Sequence, residues 1–552
     1  MNKPKLRLGV LLDSFELHAW AYRALERICE SSCAEFSLII LNESEQIYPS
    51  GVEKLWQNRH RIVYEIFNKI DEKFFREEPS AFNEKDIRDF LWDVPVVKAK
   101  PIHKDEGNFF DPASIDGIRQ YRLDILIKFG FGPLQGDILS TAKYGVWSYH
   151  HGDIRRIQGG PPGFWEVVES WPETGSVLRM PGGSSKSDQV LDRSWFFTYP
   201  FSPARNRHYA CWASASYLPR QIELLYRFGK EKYFSKIDNL NREIDFSDQR
   251  LYTTPTNFMA LKLYARVYGR IIREMYYRIF TLATWYLMFD FSKGTALSFS
   301  KFNKIMPPKD RFWADPNVIQ HKDKYHIFVE EYIYKTGKGH ISVMELNSGG
   351  NDVNPVPVLE KEYHLSYPFV FRCGDSYFMV PESAANKTID LYECVEFPYQ
   401  WKFKMSLMEN VTAVDTTLFF YQGKWWLFTG VAENEGAFPQ VELFLFFSNE
   451  LFINQWIPHP QNPIVSDVKK ARPAGKLFNR DGKLFRPSQD CSKTYGFGFN
   501  IHEILVLSET EYLEKDVARV RPYWDKKTIA THTFSCEGQL TIVDALMRRR
   551  KF

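Results

Sequence analysis

The chain has 552 residues, too many for one hydrophobic core, and two or three domains are expected. Its net charge of +3, with 44% hydrophobic and 25% charged residues, is that of an ordinary soluble protein and argues against a nucleic-acid partner. An aromatic content of 16% favours strand-rich structure and surfaces on which sugars can stack.

The N-terminus runs through Lys3 and Lys5 directly into an apolar strand, Leu6 to Leu12. That run is too short for a signal segment. Residues 1–205 alternate strand and helix patterns: LRLGVLL (6–12), a helical run from Trp20 to Cys29, FSLIILN (36–42) and LDILIKFGFG (123–132). Such alternation predicts an α/β domain with a mostly parallel sheet, whose ligands sit at the carboxyl ends of the strands. Residues 206–295 read as a basic helical linker. Its segment 264–289 carries Arg266, Arg270, Arg273 and Arg278 among apolar residues and is a candidate for peripheral membrane contact. The tail Arg548-Arg549-Arg550-Lys551 is a second candidate for contact with anionic lipid. No stretch is long enough to span a membrane.

Residues 296–552 repeat. Five units recur every 45–60 residues, at 314–331, 367–383, 414–430, 471–489 and 530–545. Each holds a strand, a tight turn and a second strand. The turns carry Lys322-Asp323-Lys324, Gly374-Asp375, Gln422-Gly423, Asp481-Gly482 and Glu537-Gly538. This is the period of a propeller blade, so an all-β five-bladed propeller follows the α/β domain, and ALSFSKFNKI (296–305) is expected to close the ring. The seven cysteines form no CxxC pair and their number is odd. Neither a zinc site, nor any other metal site, nor a disulfide framework is expected, and a reduced, cytoplasmic compartment is.

Two constellations carry chemistry. YGVWSYHHGDIRRIQGGPPGFWEV (144–167) places His150 and His151 after a buried strand, near Asp153 and Glu166, as proton-transfer or oxyanion-stabilising candidates. In the repeats, Asp315, Tyr367, Asp415, Arg472 and His532 stand where first strands begin. Glu330, Glu331, Glu382, Ser488 and Gln489 stand where second strands end. Asp315, Glu382 and Asp415 are the candidates for glycoside chemistry, with Glu382 as the raised acid and Asp315 as the ionised base. Trp313, Trp425 and Trp426 are candidate stacking faces.

The stretch from Asp124 to Leu178, with SYHHGD, GGPPGFWEV and ETGSVL, resembles the core of the folate-dependent formyltransferases, over about residues 6–205. The resemblance implies a Rossmann-like fold, 10-formyltetrahydrofolate as donor and an amino sugar or similar amine as acceptor. His150 falls at that family's histidine, and Ser148 where it has asparagine. Thr174 and Gly175 match its Thr-Gly pair. Lys186 aligns with its late aspartate, and Asp188 lies two residues on. FWADP (312–316), YPFVF (367–371), PES (381–383), DTT (415–417), RPAG (472–475) and RPSQD (486–490) resemble the N-terminal propeller of plant glucosamine inositol phosphorylceramide transferases. More distantly they resemble five-bladed glycoside hydrolases. Together the resemblances imply a transferase of surface-polysaccharide or glycolipid biosynthesis. Formyl or related acyl transfer would take place in the first domain, and the propeller would bind a glycan or nucleotide sugar. A catalytic propeller beside a degenerate first domain, and a glycan-binding scaffold without chemistry, are the alternatives.

Overall fold

The computed structural model describes residues 3–44, 58–183, 187–245, 248–291, 299–346 and 354–551. It divides into two compact units. One comprises residues 1–271 with 434–437, the other 272–433 with 438–552.

The first unit is built on a seven-stranded sheet. Its strands are β1 (Leu6–Leu12), β2 (Ala34–Asn42), β3 (Val96–Ala99), β4 (Ile125–Lys128), β5 (Val146–His150), β6 (Glu173–Met180) and β7 (Gln189–Phe197). Their spatial order is β7-β6-β5-β4-β1-β2-β3. The strands from β5 to β3 are parallel to their neighbours, and β6 and β7 are added antiparallel. Chain order reverses beside β1, so the crevice at the ends of β1 and β4 is the topological switch point. Alternate residues go to opposite faces. Leu8, Val10, Leu12, Ile125, Ile127, Trp147 and Leu178 pack on one face with Leu25, Tyr217, Ile222 and Tyr233. Leu11, Leu126 and Val146 pack on the other with Ile115 and Ile118.

The helices α1 (Ala19–Glu30), α3 (Pro112–Arg119), α4 (Pro203–Ser214), α5 (Tyr217–Phe228) and α6 (Lys230–Arg242) pack on this sheet, and α2 (Ile62–Phe74) packs on α4. The segment read as a linker from 206 is therefore partly core: Tyr217, Leu218, Ile222, Leu225 and Tyr233 are buried against the sheet. Its basic segment is also corrected. The helix is α7 (Asn257–Phe280), and the chain then turns into the strand β8 (Thr281–Asp290). TLATWYLMFD is rich in β-branched and aromatic residues, and a ten-residue partner decides its state. It pairs antiparallel with β9 (Leu540–Arg550) from Thr281↔Arg550 to Asp290↔Thr541.

The second unit is a five-bladed β-propeller. Four blades run in chain order from Arg311 to Leu359, Ser366 to Glu409, Ala413 to Ser466 and Phe478 to Val520. The fifth combines β9 and its preceding strands with β8 and Asn303–Ile305. The ring is thus closed mainly by β8. Of the segment expected to close it, Asn303–Ile305 adds an edge strand, and 296–298 lie outside the described residues. The turn chemistry appears as expected: Gln422 and Gly423, and Asp481 and Gly482, have positive φ in pairs.

One irregularity recurs. The first strand of each of the first three blades skips register, between Ala314 and Asn317, Ser366 and Phe369, and Val414 and Thr417. Within each skip lies a left-handed residue: Asp315 (φ 52°), Tyr367 (φ 40°) and Asp415 (φ 50°). A bulge re-aims its side chain and costs backbone strain, which the surrounding ladder must hold.

Candidate functional site

The bulges deliver side chains from different blades to one point. Asp415 Oδ2 accepts from Arg472 Nε at 2.5 Å and from Gln489 Nε2 at 2.6 Å. Arg472 also reaches Glu382 Oε2 at 3.1 Å, and the Asp415 backbone N–H donates to the same oxygen at 3.3 Å. Asp315 accepts from Thr533 Oγ1 at 2.7 Å and from the Tyr367 N–H at 3.3 Å. His532 Nε2 lies 3.3 Å from Asp315 Oδ1, and its Nδ1 lies 2.7 Å from Asp544 Oδ2. The Tyr495 ring covers both halves, with the Arg472 guanidinium 5.0 Å from its centre and the His532 ring at 5.3 Å. Tyr495 is 46% exposed, so the cluster opens to solvent on its side.

Five carboxyl groups, Asp315, Glu330, Glu382, Asp415 and Asp544, face two cationic side chains here. Burial raises Glu382 well above the usual carboxylate range, against the pull of Arg472. Burial raises Glu330 too, and Asp315, Glu382, Asp415 and Asp544 raise it further. Burial lifts Asp315 to about 6 although His532 opposes it. For His532, burial is outweighed by Asp544 and Asp315, and the imidazole is held above its ordinary value. Both carboxyls expected to divide the acid and base roles, Glu382 and Asp315, are thus raised by burial.

The expectation of no metal ligands needs revision. Ligand atoms of Asp315, His532 and Asp544 lie within 4.8 Å of one another, all buried. The short Nδ1 contact to Asp544 lacks hydrogen-bond geometry. Two carboxylates and one imidazole form a donor set for a divalent cation. Asp544 and Tyr495 were not singled out from sequence. Asp544 lies in the second strand of the fifth unit, as Glu330 and Glu382 lie in the second strands of theirs, so the repeat itself marks it.

Of the tryptophans offered as stacking faces, two are buried and one lines a cavity. Trp313 and Trp426 are core residues, the first with its N–H on Glu331 Oε1 at 3.1 Å. Trp425 lines a cavity of about 360 Å³ with Lys476 and with Phe371 and Phe420 from the far ends of two first strands.

In the first unit, register builds a second constellation. Lys128 pairs with Ser148, and Ser148 with Arg179, so the three side chains share one face. His150 is two residues from Ser148 on that face. Its Nε2 is buried without a partner, as is Arg179 Nε. Burial, then the charge of Arg179, lowers His150 to about 4 and Lys128 to about 8. Asp188 is bound to Arg179 at 2.6 Å, and Lys186 lies outside the described residues. At the switch point Asp13 Oδ1 accepts from the Phe131 N–H at 2.9 Å and from Asn42 at 2.8 Å. A side chain at Gly130 would meet the Asp13 backbone at 2.6 Å.

His151 goes to the opposite face. It lies between Ser176 Oγ (3.1 Å) and Cys211 Sγ (3.8 Å), beside a cavity of about 510 Å³ lined by Trp20, Phe82, Arg207 and His208. Asp153 is engaged by Arg155, at 2.9 and 2.6 Å. Glu166 is wholly buried, and neither carboxyl oxygen has a partner; burial raises it to about 8. The dense motif thus separates into one strand-end residue, one cavity residue, one ion pair and one core acid.

Fold and axial site define the second unit as a five-bladed propeller with a buried carboxylate cluster. Residues 299–533 match the family model described as glucosamine inositolphosphorylceramide transferase 1, N-terminal. The protein of that name from Oryza sativa subsp. japonica is 35% identical over 209 residues, which is 37% of this chain and 28% of the rice protein. Among solved structures, the GH32 beta-fructofuranosidase of Bombyx mori is similar over 44% of this chain and 61% of its own, at 15% identity and TM-score 0.31. Glycinamide ribonucleotide transformylase 1 of Symbiobacterium toebii is similar over 41% of this chain and 89% of its own, at 12% identity and TM-score 0.25.

Proposed function

We propose that the chain is a carbohydrate-modifying enzyme of glycolipid or surface-glycan biosynthesis and that its propeller handles the sugar. The observation that carries this reading is the convergence of Asp315, Glu382, Asp415, Arg472 and His532 on one point from five blades. The name of the plant relatives, which joins glucosamine to inositolphosphorylceramide, supports an amino-sugar or glycolipid substrate. Chemically, a protonated Glu382 can give a proton to a leaving glycosidic oxygen, while Asp315 is positioned to stabilise or relay positive charge. Tyr495 offers an aromatic face to a sugar ring.

Calorimetric titration with amino sugars and glycolipid headgroups, with product analysis by mass spectrometry, tests this. Saturable binding lost in Tyr495→Ala, and turnover reduced ~100-fold or more in Glu382→Gln, are expected. Binding and turnover unchanged in both variants would refute it.

A second reading is acyl transfer to an amine in the first unit. It is favoured by the buried, unpartnered His150 Nε2 beside Ser148 at the strand ends. The residues fit a formyltetrahydrofolate donor only in part. Asp188 is spent on Arg179, and the groups added to this face are the cations Lys128 and Arg179. Such a donor would supply the formyl group, and His150 and Ser148 would hold the carbonyl oxygen. Formyl release that survives in His150→Ala would remove this reading.

A further inference from the structure

Helix α7 has two apolar stripes. One faces inward: Ala260, Leu263, Tyr264 and Val267 are buried, and the Phe67 ring stacks on Tyr264 at 4.7 Å. The other faces solvent. Phe258, Leu261, Ala265, Tyr268, Ile272, Met275 and Ile279 follow one another at steps of three and four residues. Phe258 is 81% exposed, Ile272 67%, and Leu261, Met275 and Ile279 between 55% and 56%. Steps of three and four keep one helix face, so these side chains form a continuous ridge along about 32 Å of helix. Scattered exposed apolar residues need no explanation, but a ridge of seven does.

Charge identifies what covers it. The helix carries five basic residues, Lys262, Arg266, Arg270, Arg273 and Arg278, and one acid, Glu274. Glu274 is already held by Arg278 at 3.5 Å and Arg548 at 3.1 Å. Lys262, Arg266 and Arg273 are exposed beside the ridge. At the helix end, β9 brings Arg550 and Lys551 alongside exposed Ile279 and Phe280, the Lys551 N–H donating to the Phe280 carbonyl at 3.1 Å. A second copy of this chain docking through the ridge would place Lys262 and Arg278 at the flanking positions of both helices. These are like charges, and the single acid of the helix, Glu274, is already shared by Arg278 and Arg548, which opposes self-pairing. An anionic bilayer surface satisfies both features: its acyl boundary takes the apolar ridge and its headgroups take the cations. Among the described residues no helix is long and apolar enough to cross a membrane, so α7 would lie in the interface plane.

We infer that α7 is an interfacial membrane anchor, seating Phe258, Leu261, Ile272, Met275 and Ile279 in an anionic lipid surface with Lys262, Arg266, Arg273, Arg278 and Lys551 on its phosphates. The inference stands apart from the glycan reading, since none of these residues belongs to the axial cluster.

Cosedimentation of the full chain with vesicles tests it. Phosphatidylcholine vesicles with about 30% phosphatidylglycerol should bind the chain at low salt and release it as salt rises, while phosphatidylcholine alone should bind weakly. Arg266→Glu with Arg273→Glu should lower partitioning at least tenfold, on the basis of roughly fivefold per lost cation. Ile272→Gln with Ile279→Gln should do the same without changing the charge. All four positions are exposed, and circular dichroism equal to wild type establishes that the variants fold. Absence of binding to the anionic vesicles, or binding unaffected by both double variants, overturns the inference. So does a dimer in analytical ultracentrifugation that Ile272→Gln dissociates while vesicle binding persists unchanged, since the ridge would then belong to a second copy.

Discussion

The propeller axis and the strand-end face of the first unit gather similar side chains under opposite conditions. On the axis each buried carboxyl of Asp315, Asp415 and Asp544 has a donor supplied by another blade, for Asp544 the Asp315 N–H. On the strand-end face Lys128 and Arg179 share one side of a sheet, and His150 Nε2 and Arg179 Nε find no partner. Buried polar groups are normally satisfied; on the axis the carboxyls are answered from within the protein and His532 Nδ1 is the group left over, whereas the strand-end face leaves the nitrogens of His150 and Arg179 unanswered. The difference teaches that convergence by bulges yields a network that holds itself. Convergence by register alone aligns groups without pairing them.

The largest expected effect breaks the axial network. Arg472→Met leaves Asp415 and Glu382 without their shared cation, and should cost about 3–5 kcal/mol in urea unfolding of the propeller. A loss below ~1 kcal/mol would mean that the cluster does not depend on the pair. Next comes Glu166, which marks the cost of leaving an acid unanswered. Its folded value of about 8 exceeds the ordinary carboxylate value, so the folded state keeps a proton that the unfolded state loses. Stability should therefore fall as pH rises from about 4 to about 8, and Glu166→Gln should remove a pH dependence on the order of 3 kcal/mol. Equal slopes for both proteins would contradict the burial argument.

Lys128 tests the strand-end face. Burial and Arg179 depress its folded value to about 8, below its unfolded value, so its penalty is full below pH 8 and fades toward pH 10. Lys128→Met should stabilise the first unit by about 1–2 kcal/mol at pH 7, and by less at pH 10. Destabilisation at pH 7 would show that a partner already satisfies the amine. The smallest effect concerns a single neutral bond: Tyr367→Phe deletes the contact of its hydroxyl to Thr417 Oγ1 at 2.9 Å and should cost about 1 kcal/mol.

The propeller was legible because its signals are local and repeated. Turn residues, strand lengths and the polar residue at each strand start recur along the chain, and they mark Asp315, Asp415, Arg472 and His532 directly. The segment 281–290 was not legible. Its apolar residues suit a helix as well as a strand, and the partner that settles the matter lies some 250 residues away. Lys128 and Arg179 carry no motif; only the pairing of three strands makes them neighbours of Ser148. Glu166 shows the converse: its polarity is legible in the sequence, but its burial is set by the apolar residues around it, Trp165, Val167 and Val168.

The strand β8 has a consequence in time. It is made before the four blades that precede its long partner β9, and until then only the three-residue edge Asn303–Ile305 can pair with it. At ribosomal rates of roughly 5–20 residues per second, the interval between them is on the order of ten seconds or more. During that interval Leu282, Trp285, Leu287 and Phe289 belong to a largely unpaired apolar strand, the kind of template that invites pairing with another nascent chain. The growing ring is thus exposed to intermolecular strand exchange until its final strand arrives. Its yield in the cell should depend on what shields that strand until β9 has been made.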